Sequence, residues 1–274
     1  MSDETTNDDG VVTIRCDFIR GRNVLLTHGD LRPLFERWHR HHDDHRIGLE
    51  PAHAALFEDA LAAFTLHLAG QSRNRHVTWT VNIGRPAVNL FLGGDTFSGS
   101  VAGRVFSQNV AAFDTGQFYQ ESIVAGKGPF RSQATFVADA GILDAVEEYY
   151  AMSEQRPAKI FDLGECRFAM AHAHPDYDEG WFTGLDADGV LRLSETEALG
   201  HIETRRFGWR CGCEDPSRIP GVLLPAWRKD PEALFGDAAS LEVLCPRCAA
   251  RHVVTRERMT TFADYEDRRN SGGK

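Results

Sequence analysis

The sequence predicts an α+β fold in three parts: an N-terminal mixed helix/β-sheet domain, a short linker and a small C-terminal module built on four cysteines. Segments with helical and with strand periodicity fall into separate runs, the pattern of α+β rather than of alternating α/β proteins. Four of the six cysteines form two tight pairs near the C-terminus, Cys211-Gly212-Cys213 and Cys245-Pro246-Arg247-Cys248. Between these regions, residues 175–209 turn to Asp, Gly, Glu and Thr, with short apolar islands at Trp181-Phe182 and Val190-Leu191. The expected boundaries are a disordered tail at 1–12, the α+β core at 13–174, the linker at 175–208, the four-cysteine module at 209–259 and a second disordered tail at 260–274.

The elements follow in chain order. The first ten residues are acidic and polar and bury too little to order themselves. Asp30 is placed to N-cap a first helix whose Leu31, Leu34, Phe35 and Trp38 recur at i, i+3, i+4 and i+7. A second helix is expected over 51–69, where Phe57, Leu61, Phe64 and Leu68 repeat every three or four residues and Pro51 suits the first turn. The period then changes to two: Val77, Trp79, Val81 and Ile83 alternate with polar residues, and Gly84-Arg85-Pro86 turns the chain into a strand over 88–92. Further strands are expected over 97–106, 118–124 and 130–137, punctuated by Gly93-Gly94-Asp95 and Gly126-Lys127-Gly128-Pro129. One helix over 139–153, with Ile142, Leu143, Val146, Tyr149 and Tyr150 on one face, and strands over 158–161 and 166–173 complete the core. In the module, a short helix is expected over 232–235, and the residues flanking the second cysteine pair read as a ribbon hairpin.

Length and composition exclude several classes. A chain of 274 residues buries a substantial core without metal assistance, so the cysteine module is an appendage. No apolar run reaches membrane-spanning length. A net charge of −10 and a pI near 5.6 disfavour general nucleic-acid binding, although Arg205, Arg206, Arg210 and Arg218 leave room for a local basic patch. The N-terminus, Met1-Ser2-Asp3-Glu4, carries no apolar leader, so a reducing, cytoplasmic setting is expected.

The two cysteine pairs point to a metal. Each presents two thiolates from one turn, and the 31 residues between them can fold back to complete a four-sulfur site, for which zinc is the default ion: one Zn2+ held by Cys211, Cys213, Cys245 and Cys248. Pro246 favours the tight turn that lifts backbone N–H groups toward sulfur, and Arg210, Arg247 and Arg251 favour the thiolate form. A thioredoxin-like CxxC, permanent disulfides, and His252 in place of one sulfur are the alternatives weighed against it.

With the cysteines placed after an α+β domain and a linker, the chain resembles the redox-regulated heat-shock chaperone family known as the 33 kDa chaperonin. Cys-x-Cys followed by Cys-x-x-Cys about thirty residues on is that family's zinc signature. The helix ending at Tyr150, Ser153, Glu154, Gln155 and Pro157 looks like its Tyr/Phe-x-x-Ser-Glu-Gln-x-Pro element, and 77–105 like its first hairpin and next strand. The similarity covers about 18–254. It implies an ATP-independent holdase for unfolded protein clients, active under oxidative stress, with homodimerisation on activation. It also implies zinc release with disulfides within each pair, Cys211 with Cys213 and Cys245 with Cys248. Trp181, Phe182, Phe207 and Trp209 are the candidate client-binding aromatics, each weighed against a place in a satellite core. The segment between Phe161 and Cys211 is shorter than the family's helical linker, and 193–202 spans at most two or three helical turns. The alternative reading is therefore a constitutively zinc-bound structural or partner-binding module without redox activation.

No enzyme is expected. There is no GxxxxGK[ST] phosphate loop, and His172, His174 and Cys166 make no recognised triad. The cluster His39, His41, His42 and His45 reads as the solvated end of the first helix, with metal binding or titration near neutral pH as the other options. Cys16 reads as a surface or partly buried thiol.

Overall fold

The computed structural model describes residues 10–124 and 127–271. The chain divides into two compact units, Met1–Arg40 with Gly48–Trp209, and His41–Ile47 with Arg210–Lys274. Most of the expected N-terminal tail lies outside the described residues; from Val11 the chain is already a strand.

The first unit begins with the hairpin β1 (Val11–Ile19) and β2 (Val24–Asp30), followed by α1 (Arg32–Asp44) and α2 (Pro51–Gly70). Five strands follow: β3 (Arg75–Ile83), β4 (Val88–Asp95), β5 (Ser100–Phe106), β6 (Thr115–Val124) and β7 (Phe130–Val137). Next come α3 (Ile142–Tyr149), which runs into a π-turn at Tyr150–Glu154, then β8 (Ala158–Asp162) and β9 (Arg167–Ala173). In the expected linker lie three short helices, α4 (Glu179–Gly184), α5 (Ala187–Leu191) and α6 (Leu193–Thr196), and then β10 (Leu199–Trp209). One ten-stranded sheet has the order β7-β6-β3-β4-β5-β10-β1-β2-β9-β8. Its pairings are antiparallel except where β10 meets β5, at Gly208↔Ser100 and Trp209↔Val101. The last ten residues of the expected linker, 199–208, thus belong to a central strand.

Helices α2 and α3 cover one face of this sheet. From Ala60 to Ala69 every residue of α2 is buried, which marks a core helix rather than an amphipathic surface one. An aromatic chain crosses the layer: Phe64 and Phe118 each meet Trp79 edge-on at 4.9 Å between ring centroids, and Phe118 stacks on Tyr149 at 4.5 Å. Gly94 is needed beneath α2, because a Cβ there would lie 2.4 Å from Leu68 Cδ1. The last turn of α2 leaves carbonyls without helical donors. Buried Arg205 of β10 supplies them, donating to the carbonyls of Leu68, Ala69 and Gln71 at 3.0, 3.0 and 2.6 Å, and to that of Thr96 at 3.1 Å. Arg205 therefore belongs to no surface basic patch.

On the opposite face, α4–α6 pack Phe182, Leu185, Val190 and Leu193 onto Ile19, Val24, Leu26, Ala169, Ala171 and Ala173. Arg22 in the β1–β2 turn holds both ends of this segment, bonding Asp178 at 2.6 Å and Glu197 at 3.0 Å while its guanidinium lies 5.4 Å from the Trp181 ring. Nearby, buried Asp17 joins three strands. Against the effect of burial, hydrogen bonds from Arg15, His28 and His201 bring its carboxyl down to about 2.

The second unit contains α7 (Arg218–Lys229), α8 (Pro231–Phe235), the hairpin β11 (Ser240–Leu244) and β12 (Arg251–Thr255), and α9 (Arg256–Ser271). Where a disordered tail at 260–274 was expected, α9 continues to Ser271 and buries Met259 and Ala263. Among the described residues no helix is long and apolar enough to cross a membrane.

Candidate metal centre

The two cysteine pairs are carried by different local structures. Cys211 is extended, and the chain then closes a single 3-10 turn, Gly212–Glu214, that brings Cys213 back beside it. Cys245 and Cys248 lie in the loop joining β11 and β12. There the Arg247 N–H points at Cys245 Sγ at 3.4 Å, as Pro246 predicts, and Ala249 takes φ 61° so that the Cys245 N–H reaches the Ala250 carbonyl at 2.8 Å.

All four cysteines are buried, at 4, 8, 2 and 0 % exposure in chain order. Cys211 Sγ lies 3.7 Å from Cys245 Sγ, Cys213 Sγ lies 3.5 Å from Cys248 Sγ, and the four sulfurs are within 4.8 Å of one another. Four sulfurs at about 2.3 Å from a tetrahedral zinc stand about 3.8 Å apart, so the cluster fits the ion in donor type, number and spacing. Among themselves the thiols compete for protons. A hydrogen bond from Cys213 brings Cys211 down to about 7, and one from Cys211 lowers Cys245, while the contacts with Cys211 raise Cys213 and Cys248. A divalent cation resolves this conflict by stabilising every thiolate at once.

The histidine cluster is not simply a solvated helix end. His41 is buried, and its Nε2 donates to the Cys248 carbonyl at 2.9 Å. One turn on, His45 Nδ1 accepts the Arg251 N–H at 3.2 Å and its carbonyl accepts Arg251 Nε at 3.1 Å. These histidines hold the backbone on either side of Ala249-Ala250, in the way outer groups orient metal ligands. Their i, i+4 spacing was visible in the sequence, but nothing in it pointed to a turn two hundred residues away. Arg251 directs its guanidinium to Glu242 and the His45 carbonyl rather than to sulfur. His252 is not among the clustered ligand atoms.

The remaining candidates lie elsewhere. Phe182, Phe207 and Trp209 are buried at 3, 0 and 2 % exposure, and Trp181 is half-buried beneath Arg22, so all four are packed aromatics and Phe207 and Trp209 belong to β10. Cys16 is buried, and burial pushes its thiol up to about 11. Cys166 sits at φ 61° in the β8–β9 turn, where its carbonyl accepts the Leu31 N–H at 2.8 Å. His172 is buried with neither ring nitrogen bonded, and burial lowers it to about 3. Beside it, a 2.5 Å hydrogen bond joins His67 Nδ1 to Tyr150 OH in the core. Neither His172 nor His174 is hydrogen-bonded to a nucleophile among the described residues.

No protein-family model and no curated protein matches the chain. Its fold matches that of a solved structure, the 33 kDa chaperonin (heat shock protein 33 homolog) of Thermotoga maritima, with a TM-score of 0.70 at 16% identity over 95% of this chain and 99% of that one. The fold is therefore the one implied by the Ser153-Glu154-Gln155 element and the cysteine order.

Proposed function

We propose that the chain is a redox-regulated, ATP-independent holdase that binds unfolding proteins in the cytoplasm under oxidative stress. The observation that carries this reading is the buried four-thiol cluster at zinc spacing, on a fold shared with a heat-shock chaperonin. Cys211, Cys213, Cys245 and Cys248 hold one Zn2+, which supplies binding free energy that folds the second unit and keeps the sulfurs as thiolates. An oxidant that takes two electrons from each of two thiolate pairs forms two disulfides, and the ion leaves with its ligands gone. The disulfides form within each motif, Cys211 with Cys213 and Cys245 with Cys248.

Loss of the ion unfolds the module and frees apolar surface for clients. The α4–α6 segment is a source of such surface, because its small helices bury Phe182, Leu185, Val190 and Leu193. Trp181 and Phe182 serve clients only when that packing opens, and Phe207 and Trp209 only when the packing around β10 opens. The activated form pairs as a homodimer, and neither nucleic acid nor membrane is a partner.

A second reading, a constitutive zinc module without redox activation, is favoured by one feature: Arg22 ties both ends of the α4–α6 segment. Light scattering of an aggregating client separates the two. The holdase reading expects suppression of aggregation by peroxide-treated protein and little by reduced, zinc-loaded protein. Unchanged aggregation after complete zinc release sinks it.

A further inference from the structure

The inward positions of β3, β6 and β7 change character along the strands. Beneath α2 and α3 they are Val77, Trp79, Phe118 and Ala134, all buried. On β6 and β7 the register neighbours of Val77 and Trp79 are polar, Ser122, Gln120 and Ser132, and one step beyond Val77 the inward position of β3 is Arg75. A cavity of about 480 Å³ opens there, lined by these four with Lys127 and Arg131. We propose that this cavity binds a small phosphate-bearing molecule, independently of the metal centre and of the chaperone reading.

Charge is the first argument. Three cations face the cavity against a single carboxylate, Glu154, on a chain that is strongly acidic overall. Arg131 is paired with Glu121 at 2.6 Å. Glu154 is engaged too, accepting from Tyr149 OH at 3.1 Å and lying 3.9 Å from Arg156. Arg75 and Lys127 have no acidic partner among the described residues, and Arg75 Nε is buried without an acceptor. Two unpaired cations match a phosphate near neutral pH, and a guanidinium binds phosphate oxygens through two parallel hydrogen bonds.

Donor polarity is the second. Gln120, 6 % exposed, gives its Oε1 to Trp79 Nε1 at 2.8 Å, which leaves its amide N–H groups as donors. Ser122, 4 % exposed, adds a hydroxyl on the same face, whereas the Ser132 hydroxyl is bonded to Tyr149 OH at 2.6 Å. Such a concentration of buried donors beside unpaired cations is what an oxyanion requires. The wall is set by the Ser-Glu-Gln element. Its π-turn is pinned when Ser153 Oγ donates to the Gln133 carbonyl at 2.6 Å, and Gln155 ends the turn at φ 52°. Single π-turns recur at functional sites.

Isothermal titration of the full-length, zinc-loaded protein tests the assignment with inorganic phosphate, glycerol 3-phosphate and acetate at low salt. Both phosphates are expected to bind and acetate is not. Arg75→Gln and the more exposed Lys127→Gln are each expected to weaken phosphate binding by about tenfold or more. Circular dichroism of Lys127→Gln, a change at an exposed site, guards against a folding artefact. Absence of phosphate binding up to about 10 mM, equal binding of acetate, or unchanged affinity in both folded variants overturns the proposal.

Discussion

Cys248→Ser is expected to remove zinc from the chain and to unfold the second unit while leaving the first folded. Cys248 is the least exposed of the four ligands and packs its sulfur against Cys213, and its carbonyl is the one held by His41. Besides the cysteines, that unit buries mainly Ile219, Phe235, Val254, Met259 and three alanines, a small core by any measure. Apparent binding free energies of structural zinc run at about 10–16 kcal/mol, more than such a core supplies. Far-UV circular dichroism should lose the contribution of α7 and α9, and limited proteolysis should cut within 210–271 first. A variant that keeps its zinc and resists cleavage there would show that the cluster does not hold the unit together.

Arg205→Ala is expected to destabilise the first unit by roughly 3–5 kcal/mol, because it strips a charged donor from buried and partly buried carbonyls. Two of these carbonyls lie in the last turn of α2 and a third is that of its C-cap Gln71, and the cation also faces the negative end of the helix dipole. Arg205→Lys should recover only part of the loss, since one ammonium cannot serve the Leu68, Ala69, Gln71 and Thr96 carbonyls in the geometry of a planar fork. Urea unfolding followed at the buried tryptophans measures both. A change within about 0.5 kcal/mol, the range of ordinary surface substitutions, would refute the capping role.

Arg205 also explains what the sequence concealed. Strand β10 reads Leu-Gly-His-Ile-Glu-Thr-Arg-Arg-Phe-Gly-Trp, and an arginine at an inward position breaks the apolar alternation by which strands are recognised. The segment therefore looked like linker, although it joins the two halves of the sheet. Hairpin β1–β2 had a readable signal, two apolar runs around Gly21-Arg22-Asn23, with Gly21 and Asn23 at φ 81° and 53°. Helix α9 was hidden by its charge, since its buried Met259 and Ala263 form a narrow stripe among Arg, Asp and Glu. By contrast α2 and β3 were legible because one period runs unbroken through each.

The four-cysteine cluster was legible for a different reason. Cysteine spacing encodes ligand geometry directly, so Cys211, Cys213, Cys245 and Cys248 converge where the pattern placed them. Their supports were not legible, because His41 and His45 reach the site through tertiary packing alone.

Zinc content and free thiols, measured on one sample before and after peroxide, test the central claim most directly. The account predicts one zinc per reduced chain, and release of that zinc in step with the loss of four thiols as peroxide is added. Reduced protein without bound metal, or oxidation of the four cysteines with the zinc retained, would contradict it.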